Sequence, residues 1–262
     1  DFCLSRGLGD VYKRQVQDVK GIVTYQYELR GQHYFHMQTS DSEADNNANT
    51  SEGIIVYTGK HKADVKVGDL IKVTGTVNEY AIDGYNDKAN TDLPVTEIVA
   101  RDDRGGKITV AQSNQPLPKP YTIKQVPKAI SANDQLKTFD RNRYAMDYYE
   151  SLEGMRVQTG DVRAVGPQEH GDIFTVLDNE PKETQNGGIL LKHNSANGQR
   201  IPFKMYDNYQ ARDFDVKTGD RFKGPIIGYM NYGYQNYKIN VDLSTMPVSY
   251  THLRAHETGR NL

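Results

Sequence analysis

Cysteine, tryptophan and long apolar stretches are what this chain of 262 residues has least of. The single cysteine, Cys3, leaves no second thiol for a disulfide framework and no thiolate cluster for a metal. No apolar run approaches the ~18 residues needed to cross a membrane as a helix. Phosphate-binding Gly-rich loops, dinucleotide fingerprints and a Ser-His-Asp arrangement are also missing. With no tryptophan and 7 phenylalanines, the aromatic content falls to 18 tyrosines. Tyrosine suits half-buried strands and binding faces, because its ring packs while its hydroxyl stays wet. A hydrophobic fraction of 36% fits small domains with much surface for their volume.

Both ends differ from the rest. Residues 1–15 and 247–262 carry no sustained strand or helix periodicity and read as sequencing read-through or disordered ends. Each carries one net positive charge, so the region between them falls from the whole chain's −2 to −4. A mildly acidic region argues against strong non-specific nucleic-acid binding, which Lys and Arg drive by contacting phosphates.

The stretch Asp64-Val65-Lys66-Val67-Gly68-Asp69-Leu70-Ile71-Lys72 returns as Asp215-Val216-Lys217-Thr218-Gly219-Asp220-Arg221-Phe222-Lys223, with six of nine residues identical. The separation of 151 positions is too long for a solenoid, whose repeats span about 20–50 residues. It implies one small β-domain used twice. In each copy the glycine supplies the positive φ of a tight turn, and the aspartate after it bonds nearby backbone.

Alternating and β-branched segments predict five strands in residues 16–100: Val19–Leu29, Tyr34–Gln38, Gly53–Thr58, Asp69–Tyr80 and Pro94–Ala100. Phe35 and Met37 fall on one face, Tyr34, His36 and Gln38 on the other. Residues 101–150, with Pro116, Pro118, Pro120 and Pro127, read as a linker holding a short helix within Ser131–Tyr148, capped by Asn133 or Asp134. Residues 151–246 repeat the pattern with Met155–Val165, Asp172–Leu177, Gly188–His193, Asp220–Met230 and Tyr234–Val241. Five short strands, twice, with a longer connection after the third, describe an all-β chain of two tandem OB-like five-stranded barrels.

The run Tyr149-Glu150-Ser151-Leu152-Glu153-Gly154-Met155 is the most distinctive in the chain. With Ser51-Glu52-Gly53-Ile54-Ile55-Val56-Tyr57-Thr58, the Val-Gly-Asp turn and Gly228–Ile239, it resembles the N-terminal region of bacterial extracellular nucleases. In that family such modules precede a catalytic domain of the endonuclease/exonuclease/phosphatase type. The resemblance implies a secreted or surface-attached parent that hydrolyses DNA or RNA with Mg or Mn. It also implies that this part is non-catalytic and needs no cofactor of its own. Its partners would be the C-terminal catalytic domain and, loosely, single- or double-stranded nucleic acid. The alternative is a structural spacer, or a surface or carbohydrate-binding module.

The binding candidates are the tyrosines of the hairpin loops: Tyr80 and Tyr85 in the first module, Tyr229, Tyr232, Tyr234 and Tyr237 in the second, with Lys238 and Arg221 as the basic residues nearby. Base stacking on such rings is worth ~1–3 kcal/mol each. Against this stands their use to cover barrel ends. The acidic loop with Asp41, Glu43 and Asp45 offers oxygen ligands of the kind Ca²⁺ takes, but lacks the spacing of a dedicated calcium loop. His33 and His36 sit on a strand at a spacing that alternates poorly for a shared metal.

Overall fold

The computed structural model describes residues 14–45, 47–81, 93–134, 137–193, 195–205, 211 and 214–242. The first barrel is built from β1 (Gln15–Leu29), β2 (Gln32–Gln38), β3 (Gly53–Gly59), β4 (Leu70–Tyr80) and β5 (Val95–Val99). Neighbours run β1-β2-β3-β5-β4, and β4 pairs back with β1, so the sheet closes on itself. The β3–β5 pairing is parallel, Ile55 opposite Glu97, and the other pairings in the ring are antiparallel. Closure of five strands in this Greek-key order is the OB arrangement the strand count predicts. Val23, Phe35, Met37, Val56, Ile71, Val73 and Ile98 fill the interior. Each buried side chain of this size contributes ~1.5–3 kcal/mol.

The second barrel has the same ring with two of its strands broken. Its first strand is divided into β8 (Arg156–Thr159) and β9 (Val162–Ala164), and its fourth into β12 (Arg221–Phe222) and β13 (Ile226–Gly233). Between them lie β10 (Asp172–Leu177), β11 (Ile201–Lys204) and β14 (Asn236–Asn240). β11 and β14 pair in parallel, as β3 and β5 do. β9 pairs with β12 and β8 with β13, closing the ring. Val157, Val162, Ile173, Ile201, Phe203, Ile226 and Ile239 form its core.

The duplicated nonapeptide folds identically in both copies. The Asp69 carboxylate accepts from the Lys66 amide, and Asp220 from Lys217, each at 2.8 Å. Gly68 and Gly219 have φ of 91° and 95°, the left-handed region a type II turn needs at its third position. Gly68 donates to the Val23 carbonyl and Gly219 to that of Ala164, both at 2.8 Å. The turn thus ties the start of strand four to strand one in each barrel, at mid-strand in the first and at the end of β9 in the second.

Three expectations need correction. The third strand of the second barrel is Ile201–Lys204, not Gly188–His193. Leu190 and Leu191 of the latter are 48% and 80% exposed, in a loop whose Leu190 amide is held by Glu183. The proline-rich segment is more than a linker. It carries β6 (Lys107–Gln112), which pairs with β4, and β7 (Tyr121–Ile123), which pairs in parallel with β8. The helix α1 is Ala145–Glu150, with Tyr144 before it and no side-chain cap, while Asp134 instead holds the Lys137 amide. Ile123, Val126, Ala145, Tyr148, Tyr149 and Leu152 all join the second barrel's core.

The two barrels are packed together. The Leu152–Met155 loop inserts between them: Ser51 Oγ donates to the Glu153 carbonyl at 2.5 Å, and the Thr96 amide to the Glu153 carboxylate at 3.0 Å. Gln38 Oε1 accepts from the Arg156 amide at 2.8 Å, and the Gly154 and Met230 amides donate to the Met230 and Met155 carbonyls. Ile55 and Val95, on the outside of the first barrel, belong to the second barrel's apolar cluster.

Candidate ligand-binding groove

Outward-facing residues of β2, β3, β4 and β5 form one curved face, and the second barrel covers only part of it. A groove of about 320 Å³ remains. Tyr34, Tyr57 and Tyr80 line it, with Glu97 at its floor and Arg101 and Arg104 at its rim. Strand alternation explains this: Thr76, Asn78 and Tyr80 point outward from β4, while Val73 and Val77 point into the barrel.

Tyr34 and Tyr57 are register partners, and their rings lie 5.0 Å apart at 32°. They end a ladder of stacked tyrosines that crosses the junction. Tyr27 lies on Tyr34 at 5.1 Å, Tyr25 beside Tyr27 at 5.7 Å, and Tyr229 of the second barrel on Tyr25 at 4.4 Å and 9°. His36 is fully buried against the edges of Tyr25, Tyr27 and Tyr229. Its Nδ1 lies 3.1 Å from the Gly154 carbonyl, so Nδ1 donates and Nε2 is left as a buried acceptor with no hydrogen-bond partner. Burial lowers its pKa to about 4, against the pull of that carbonyl.

Glu97 is only 4% exposed. Its carboxyl accepts from the Asn78 amide at 3.3 Å. Burial, with the charge of Glu79 adding to it, pushes its pKa up to about 7. The Tyr80 hydroxyl is also pushed up, chiefly by burial and then by Glu97. At the rim Arg101 is forked onto Asp103, Nε to Oδ1 at 2.9 Å, and Arg104 is exposed. Arg30 reaches the Tyr234 hydroxyl at 3.2 Å, bringing the second barrel's hairpin to the edge of this face.

Of the residues the sequence singles out, Tyr80 lines the groove and Tyr234 stands beside it. Tyr85 lies outside the described residues. Tyr229 is used in the ladder. Tyr232 is buried and accepts from the Leu93 amide at 3.2 Å. Tyr237 is buried and donates to the Glu150 carboxylate. Lys238 is buried too, donating to both oxygens of Asp172 at 2.9 Å, with its ammonium over the Tyr234 ring. Arg221 pairs with Asp178 at 3.0 Å. The loop carboxylates disperse: Asp41 accepts from the Lys119 amide, Glu43 pairs with Lys20 at 2.6 Å, and Asp45 accepts from the Asn47 amide. Among the described residues no three His, Cys, Asp or Glu side chains gather into a metal site. Tyr34, Tyr57, Glu97, Arg101 and Arg104 are not among the residues singled out from sequence. The signal is there in the alternation of β2 and β3, which puts Tyr34 and Tyr57 on the solvent side opposite Phe35 and Val56.

Fold and groove together define a tandem OB-like barrel protein with an aromatic cleft on its first barrel. The chain belongs to the family described as a domain of unknown function, DUF8508, whose model matches residues 109–250. No curated protein matches it. Solved structures similar to it include one described as "Structural mimicry for functional antagonism", 11% identical with a TM-score of 0.30, covering 88% of this chain and 93% of that one. Another is fission yeast Pot1 with single-stranded DNA, 12% identical with a TM-score of 0.26, covering 88% and 80%. At such low identity and TM-score, neither structure informs the function of this chain.

Proposed function

We propose that this chain is a non-catalytic binding region that holds single-stranded nucleic acid loosely in the groove of its first barrel. It would present the strand to a metal-dependent nuclease domain of the same polypeptide, outside the cell. The observation that supports this best is the placement of Tyr34, Tyr57 and Tyr80 around one cleft with Arg104 at its rim. Rings offer each base a stacking face, and an exposed guanidinium suits a phosphate. Glu79, Glu97, Asp102 and Asp103 nearby keep the field from being strongly positive, so affinity would rest on stacking and rise at low salt. A tethered site of this kind raises the local substrate concentration without high affinity of its own.

A fluorescence-anisotropy titration with a labelled single-stranded oligonucleotide at low salt tests this. Binding is expected, weakened by Tyr57→Ala and Tyr80→Ala by about 5- to 100-fold each. Failure to bind at low salt would remove the reading. Incubation of the same strand with Mg²⁺ or Mn²⁺ should leave it intact. A second reading, an oligosaccharide site, is favoured by the amide and carboxyl groups of Gln32, Asn78 and Glu97 along the floor. OB faces take either polymer, and a glycan array separates the two.

A further inference from the structure

The groove has an unusual floor for a nucleic-acid cleft, because its deepest polar group is an acid. Resting on the single-strand reading, we infer that the groove selects bases bearing an exocyclic amino group, with Glu97 as the acceptor that reads them. Once ionised, this carboxyl repels a phosphate, so a bound strand turns its bases inward and its backbone toward Arg104 at the rim. Tyr57, at the end of the ladder, and Tyr80 then take the base faces, and the floor meets a base edge. Glu97 comes from the middle of β5, and the Asn78 amide fixes one of its oxygens at 3.3 Å. It is therefore presented by paired strands on both sides rather than by a loop.

Carboxylate oxygens accept hydrogen bonds from an amino group such as N4 of cytosine. Thymine and uracil present carbonyl oxygens where cytosine has that amino group. Two acceptors then face each other at a carboxyl only 4% exposed, and neither recovers what it lost on desolvation. A site built on hydrogen bonding rejects the analogue lacking the partner group more strongly than stacking alone can.

The intact chain should be titrated at ~pH 8.5, above the value of about 7 at which Glu97 titrates, with labelled oligodeoxycytidylate and oligodeoxythymidylate of about ten nucleotides. The cytidylate is expected to bind roughly fivefold or more tightly. Glu97→Gln, of nearly the same shape, should bring the two affinities within about twofold. Replacing cytosine by uracil in the same strand should cost the wild-type chain the same factor, whatever the variant's folding. Equal affinity of the wild-type chain for both strands, or a preference that survives Glu97→Gln, would overturn the selectivity while leaving the single-strand site standing. Binding of neither strand would overturn the site itself.

Discussion

Gly53 and Gly154 lie backbone against backbone: a β-carbon on Gly53 would fall 2.4 Å from the Gly154 carbonyl carbon, and one on Gly154 2.8 Å from that of Gly53. These are the glycines of two of the motifs that carry the family resemblance, Ser51–Thr58 and Tyr149–Met155. The motifs are therefore the two halves of one contact, which locks the barrels together.

Substituting either glycine should loosen that contact. Gly154 also has φ of 77°, so Gly154→Ala meets both backbone strain and collision. Gly105 has φ of 80° with nothing within 4 Å of its β-carbon position, so Gly105→Ala isolates the strain. In urea unfolding Gly105→Ala is expected to cost ~1 kcal/mol and Gly154→Ala at least ~1–3 kcal/mol beyond that. Equal losses would show that the close approach is not under pressure.

His36 and Glu97 give opposing dependences on pH. His36 is stabilising in full above its ordinary 6.5 and loses that contribution as pH falls toward 4, since the unfolded chain takes up a proton that the folded chain refuses. Glu97 runs the other way: its contribution is full below its ordinary 4.5 and is lost as pH rises through about 7. Each is worth about 3 kcal/mol across its window, so in the native chain they largely offset between pH 4.5 and 6.5. The stability of Glu97→Gln relative to wild type should therefore rise by about 3 kcal/mol from pH 4.5 to above 7. A flat difference would mean that Glu97 is solvated like a surface acid.

Asp172 serves two buried lysines, Lys238 at 2.9 Å and Lys204 at 3.5 Å. Asp172→Asn withdraws the carboxylate that both ammonium groups share and is expected to cost ~3–5 kcal/mol in thermal or urea unfolding. Lys238→Met should instead leave oligonucleotide affinity within about twofold, because its ammonium is directed at Asp172 rather than at the groove. A large drop in affinity would return Lys238 to the binding face.

The duplicated turns provide an internal control. Asp69→Ala and Asp220→Ala each remove a carboxylate that accepts from the amide three residues before it. Both should lose ~1–2 kcal/mol, Asp69→Ala more, since Asp69 is buried and a vacated amide there meets less water. Unequal losses in the reverse order would show that the two turns carry different loads.

The barrels are legible in the sequence because local rules coincide with the fold there. Glycine at positive φ and aspartate after it announce the same turn twice, and alternation places Phe35 and Met37 inward correctly. Strand β11 is hidden by Pro202, a residue that reads as a breaker. It is tolerated because pairing with β14 starts only at Phe203, so no amide is missed at Pro202. The apolar Leu190-Leu191 pair suggests a strand, yet Glu183 and a buried Arg163, which donates to the Gly187 carbonyl at 2.7 Å, shape that region as a loop. The tyrosines of the second hairpin read as binders because sequence cannot distinguish a ring facing water from one facing another barrel. Tyr229 and Tyr232 become packing only once the junction exists, while Tyr237 packs within its own half, on Tyr149 and against Tyr232. The groove is hidden for the same reason, as its residues come from four strands.

Ile55 and Val95 belong by chain position to the first half of the duplication and by packing to the second. Two copies that arose as equivalents have thus become obligate companions. Anyone cutting this polypeptide between them to map an activity would lay bare an oily seam and sever the tyrosine column, so the smallest piece worth expressing is the fused pair.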